Sequence, residues 1–139
     1  METRRILILN KMEQLEKVQL FIDELAESWT LKPELFFEIN LILEEYITNL
    51  IGYGYHDEHD HEIAIEISVG EKQIKIIVTD DAGPFDITKV PENTDIDNPV
   101  EERKIGGLGI HLIKKFTDQI EYDRIGKLNR LIMLKNLQV

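Results

Sequence analysis

The chain contains no cysteine, which removes disulfide frameworks and thiol chemistry from consideration. Positive charge is also scarce. The 16 Lys+Arg against 27 Asp+Glu leave a formal charge of -11, and such a surface repels phosphate backbones, so direct nucleic-acid binding is not expected. No run of about 18 apolar residues occurs, which excludes a membrane-spanning helix. The apolar run near the start, Ile6 to Leu9, is too short for a secretory signal and lacks a small-residue cleavage site. A cytoplasmic location is therefore expected. What is present is apolar material: 42% of 139 residues are hydrophobic, enough for one core and against a wholly disordered chain. One domain spanning residues 1–139 is expected.

Hydrophobic periodicity organises that domain. Arg4 to Leu9 reads as a first strand. Met12, Leu15, Val18, Ile22, Leu25 and Trp29 recur at three- and four-residue spacing, the pattern of an amphipathic helix. Pro33 fits the first turn of a second helix. There Leu35, Ile39, Ile42, Tyr46, Ile47 and Leu50 form the buried stripe, and Phe37, Leu41 and Leu43 widen it. Gly52 to Tyr55 end that helix. Ile63 to Val69 and Ile74 to Val78 alternate as strands around a Gly70-Glu71-Lys72 turn. From Asp80 to Lys104 no period is found, and a stretch of about 25 residues without one is usually functional or disordered. A third helix opens at Gly106, and Ile120–Arg124 with Leu128–Lys135 close the chain as a hairpin around Gly126-Lys127. The expected fold is α+β: a two-layer sandwich with helices on one face of a mixed, mostly antiparallel sheet.

Three segments can carry chemistry. Glu45 and Asn49 lie four apart and project from one side of the second helix. A carboxylate beside an amide oxygen can orient a hydroxyl and hold a hard cation such as Mg²⁺, although a lone Glu-x-x-x-Asn is most often a solvated helix face. Asp80-Asp81-Ala82-Gly83 follows a strand directly. An aspartate there can accept from an exocyclic amine and distinguish adenine from guanine, with glycine allowing close approach; the plain alternative is an Asx turn. Gly106-Gly107-Leu108-Gly109 opens the third helix and exposes main-chain N–H groups at the positive end of its dipole, an anion site. It has no lysine of a Walker A loop. The stretch His56-Asp57-Glu58-His59-Asp60-His61 matches no defensible zinc spacing, and His111 reads as packing or surface.

Taken together, Glu-x-x-x-Asn on a helix, Asp-x-x-Gly after a strand, a long lid and Gly-Gly-x-Gly at a helix start resemble the GHKL ATP-binding superfamily, the fold shared by DNA gyrase and histidine kinases. Glu45-Tyr46-Ile47-Thr48-Asn49, Gly54-Tyr55 and Gly107-Leu108-Gly109 look most like the RsbW-type anti-sigma factor serine kinases, over nearly the whole chain. The resemblance implies that Asn49 carries magnesium and contacts ATP, and that Glu45 is the general base toward an acceptor serine. It implies that Asp80 reads the adenine amino group, with Asp81 as the alternative register. Gly106, Gly107, Leu108 and Gly109 then cradle the phosphates, Gly83 belongs to the nucleotide loop, and about 80–106 is the ATP lid. Arg103 or Lys104 neutralises phosphate charge. Where the family pattern has glycines this chain has Ala82 and Pro84, and Leu128-Asn129-Arg130 replaces a Gly-Thr hydroxyl near the adenine.

The function so implied is an ATP–Mg²⁺-dependent serine/threonine kinase that phosphorylates a STAS-type anti-anti-sigma partner and sequesters a sigma factor, with homodimerisation through the first strand and first helix. The alternatives are a nucleotide-gated binding module without kinase activity and a detached histidine-kinase-like ATPase module.

Overall fold

In the computed structural model, which describes residues 2–89 and 107–137, the strands are β1 (Glu2–Leu9), β2 (Glu62–Val69), β3 (Gln73–Asp80), β4 (Gln119–Ile125) and β5 (Leu128–Asn136). They form one sheet in the order β1-β2-β3-β5-β4. Every described pairing is antiparallel, the antiparallel extreme of the mixed sheet expected. The helices are α1 (Leu15–Ser28), α2 (Pro33–Tyr53) and α3 (Gly107–Phe116). None of these helices is long and apolar enough to cross a membrane. Residues 90–106 lie outside the described residues, and with them Arg103, Lys104, Gly106 and most of the expected lid.

Two-residue parity decides what each strand buries. On β2 the inward set is Ile63, Ile65 and Ile67; on β3 it is Ile74, Ile76 and Val78; on β5 it includes Leu131 and Met133. Val18, Ile22 and Leu25 of α1, Ile39 through Leu50 of α2, and Ile110 and Ile113 of α3 close over them. The same parity carries polar residues inward where it runs on: Asp80 ends the inward row of β3, and Asn129 and Lys135 bracket that of β5. Lys135 is held there by Glu38 of α2 (2.8 Å) and by the Phe116 carbonyl at the end of α3. It thereby gives the last turn of α3 a cation, the favoured charge at that end of a helix dipole.

Pro33 begins α2 as expected, because its missing N–H is one that a first turn leaves unpaired anyway. Three residues of the expected stripes fall outside the core: Phe37, Met12 and the half-buried Leu41. Phe37 is 69% exposed and Met12 is 52% exposed. Phe37 sits between Phe36 and Glu38, one step past the stripe; Met12 precedes α1 in a 3-10 turn, whose three-residue period turns it away. Trp29 caps α1 with extended backbone and is still buried, its indole N–H donating to Glu2 of β1. Since Ile76 is 0% exposed and Phe37 largely solvated, Ile76→Ala is expected to lower the unfolding free energy by about 3 kcal/mol. Phe37→Ala should change it by less than about 0.5 kcal/mol. Urea denaturation of the three chains measures both.

Candidate functional site

Asp80 is the focus of the site because strand parity drives a carboxylate into the core. Its residue surface is 1% exposed. One oxygen, Oδ1, accepts from the Ala82 backbone N–H (3.0 Å) and from Asn129 Nδ2 (2.9 Å), its cross-strand neighbour. The other oxygen, Oδ2, is buried without a hydrogen-bond partner. Burial is the larger influence and raises the Asp80 pKa, against the lowering effect of those two donors. The Asx turn is therefore present, and it uses only half of the carboxylate.

Asp81 takes the opposite parity and faces outward. Its carboxylate meets His61 Nδ1 at 2.9 Å, while His61 Nε2 meets Asp57 at 2.8 Å. An imidazole with a carboxylate on each nitrogen must donate from both, which requires the protonated ring. The two carboxylates, led by Asp81, raise the His61 pKa accordingly, and His61 lowers that of Asp57. The arrangement is a clasp between the α2–β2 connection and the end of β3. Its acidic groups lie on opposite sides of the ring, whereas a metal needs converging ligands; no metal-binding cluster occurs among the described residues.

Asn129 is the residue that sequence reasoning left in doubt, and it organises the turn. Its Nδ2 also reaches the carbonyls of Ala82 (3.2 Å) and Gly83 (2.9 Å), and its Oδ1 accepts from Tyr122 Oη and from Arg124 Nη1 (2.9 Å). Arg124 in turn donates to the Ala82 carbonyl at 3.1 Å. The turn is tied to α2 as well: Gly83 N–H donates to the Gly54 carbonyl at 3.1 Å. Gly54 has to be glycine here, because a Cβ would stand 2.9 Å from that of Ala82 and 2.7 Å from the Leu50 carbonyl.

Between the end of α2 and this turn lies a cavity of ≈ 130 Å³ lined by Asn49, Leu50, Tyr53, Gly83, Pro84 and Phe85, among others. Asn49 and Gly83 are thus brought together, and Asp80, which does not line this cavity, is linked to Gly83 through the Asn129 amide. Asn49 Nδ2 donates back to the Glu45 carbonyl at 2.9 Å. Only the nitrogen of the amide can make that bond, so Oδ1 is left as a free oxygen. Glu45 lies one turn earlier and is partly buried; desolvation first, and then the charge of Glu44, raise its pKa. Gly107, Leu108 and Gly109 form the first turn of α3, which packs against the core side of α2 through Ile110 and Ile113.

A family model described as the histidine kinase-like ATPase domain matches residues 8–135. The serine-protein kinase RsbW of Oceanobacillus iheyensis is 27% identical over 114 residues, covering 80% of this chain and 72% of that protein. The anti-sigma F factor of the same organism is 34% identical over 85 residues, which is 60% of this chain and 57% of that one. Among solved structures, the histidine kinase domain of the Erythrobacter litoralis EL346 blue-light activated histidine kinase matches with a TM-score of 0.54 at 19% identity. That match covers 91% of this chain and 60% of the other, and it speaks to the fold alone.

The clasp has a pH signature. A His pKa raised in the folded state adds stability that is complete below the ordinary value of 6.5 and lost as pH rises through the raised one. The lowered Asp57 contribution is complete above its ordinary 3.8 and lost as pH falls through the depressed value. The expected outcome is a melting-temperature gap between wild type and His61→Phe that is widest between about pH 4 and 6.5 and narrows toward pH 9. A gap independent of pH in thermal melts would mean that the ring is held by packing alone.

Proposed function

The chain belongs to the histidine kinase-like ATPase domain family, and from that premise we propose that it is a cytoplasmic, Mg²⁺–ATP-dependent anti-sigma serine/threonine protein kinase. Its substrate is a serine or threonine of a STAS-type anti-anti-sigma protein, and it sequesters a sigma factor while that partner is phosphorylated. The relatives named RsbW and anti-sigma F factor support this class. The observation that carries the nucleotide part is the divided carboxylate of Asp80, one oxygen fixed by the protein and one buried without a partner.

The donor chemistry fits the expected groups. Asp80 Oδ2 is an acceptor awaiting an N–H, which the 6-amino group of adenine supplies. Asn49 Oδ1, freed by the bond from Nδ2 to Glu45, is the kind of hard oxygen that Mg²⁺ takes. Bound Mg²⁺ supplies charge neutralisation for the phosphates, which matters in a chain of net charge -11. The main-chain N–H groups of Gly107, Leu108 and Gly109, unpaired in the first turn of a helix, would hold phosphate oxygens. Residues 80–106 are assigned as the lid, with Gly83 in its nucleotide loop and Arg103 and Gly106 assigned to ATP binding.

Glu45 accepts the proton of the acceptor hydroxyl as that oxygen bonds to phosphorus and the bond to the departing ADP oxygen breaks. Its raised pKa makes it a stronger base than an exposed glutamate. Self-association through the exposed Leu7, Met12 and Leu20 of the first strand and the first helical segment belongs to the same proposal.

The test is transfer of γ-phosphate label from ATP to the cognate STAS-domain protein. Glu45→Ala is expected to lower the rate by about 10²–10⁴-fold with ATP binding retained. In wild type the rate should fall as pH drops through the raised Glu45 value. ATP binding that survives Glu45→Ala, with wild-type transfer absent, would leave a nucleotide-gated binding module instead. Asp80→Asn replaces the open acceptor by a donor and relieves a buried charge. It should abolish adenine nucleotide binding in calorimetry while raising the melting temperature at neutral pH, because a carboxyl with a raised folded pKa loses stability as pH rises through it.

A further inference from the structure

Of the buried side-chain polar atoms that share the condition of Asp80 Oδ2, two are hydroxyls. The hydroxyls of Tyr46 and Tyr55 are buried and have no hydrogen-bond partner. Tyr46 is only 1% exposed although its position on α2 faces the sheet among isoleucines and leucines. Tyr55 follows Gly54, whose carbonyl receives the Gly83 N–H, and its ring stacks on His61 with centroids 4.7 Å apart. The His61 clasp therefore also fixes this ring. Both hydroxyls lie within the field of Asp80, whose charge, after burial itself, opposes their ionisation. They stay protonated and keep a donor to offer.

Burying a hydroxyl with no partner is costly, and native proteins rarely leave one so. Nothing in packing requires it, since phenylalanine would fill either place. The adenine edge presents a 6-amino donor beside the N1 acceptor, whereas guanine presents a 6-oxo acceptor beside an N1–H donor. A carboxylate acceptor matches the 6-amino group and opposes the 6-oxo group, and a hydroxyl can donate to N1 of adenine. We infer that the Tyr46 and Tyr55 hydroxyls are specificity-determining groups of the base pocket, supplying the donor that faces purine N1 while Asp80 faces the 6-amino group. The inference rests on the adenine reading of Asp80 and extends it to two residues to which the resemblance assigned no role.

Calorimetric titration of the full chain with Mg²⁺ and ATP, GTP or 1-deaza-ATP, which lacks only the N1 acceptor, separates the two. Wild type is expected to bind ATP about tenfold more tightly than 1-deaza-ATP. Tyr46→Phe/Tyr55→Phe should bind both equally, with its preference over GTP reduced. A wild type indifferent to loss of N1, a preference that persists in the double variant, or an equal loss of affinity for both ligands would each overturn the inference. A wild type that binds both adenine ligands equally but still rejects GTP retains the Asp80 reading and removes only the tyrosines; one that binds no adenine nucleotide removes both. The substitutions break no hydrogen bond, so melting temperatures at or above wild type are expected. If the double variant does not fold, the wild-type comparison and the single variants still decide.

Discussion

The amide of Asn129 holds one oxygen of a buried carboxylate, and most of the site follows from that contact. A carboxylate taken out of water needs compensation for its lost hydration. Asn129 Nδ2 and the Ala82 N–H give that compensation to Oδ1 of Asp80 and leave Oδ2 without a partner. The same amide gathers the carbonyls of Ala82 and Gly83, so the chain leaving β3 has to turn back over the carboxylate rather than continue the strand. Remove the amide and two carbonyls and a charge lose a shared donor together. The site's geometry is thus a consequence of one cross-strand pair in the middle of the sheet.

The turn in turn sets where α2 ends. Gly83 bonds to Gly54, and the missing side chain of Gly54 lets the last turn of the helix approach Ala82. That contact puts Asn49 on the wall of the same cavity as Gly83 and Phe85. At the far end of β5, Lys135 does for α3 what Asn129 does for the turn, receiving the Phe116 carbonyl into the core. A single alternating strand therefore has a polar residue at each end of its inward row and apolar ones between. The sheet carries both the core and the anchors of the helices over it.

Much of this was legible as pattern. The alternation of Ile63–Val69 and Ile74–Val78, the helical stripe from Leu35 to Leu50 and the proline at position 33 each describe a local preference that the fold obeys. Which of Asp80 and Asp81 turns inward was legible too: extending the inward row Ile74, Ile76, Val78 by two reaches Asp80. Phe37 was misread because a helical stripe wide enough to include Phe36 admits its neighbour on paper, while on the cylinder the two diverge by about 100°. Asn129 stood out only as a departure from the family pattern, because its importance lies in facing Asp80 across β3 and β5, and register between strands 49 residues apart cannot be read from either strand alone. His61 looked like part of a mixed polar run; only the approach of Asp81 from the other side distinguishes it from His56 and His59.

By itself the sequence determined the elements, the sign of the surface charge and the family to which the motifs belong. These depend on spacing along the chain, and spacing is local. Tertiary structure alone decided which oxygen of Asp80 is occupied, which tyrosine hydroxyls are left without partners and that the Asn49 amide spends its nitrogen on the Glu45 carbonyl. Those properties belong to distances between segments, and a hydrogen bond exists or fails within a few tenths of an ångström.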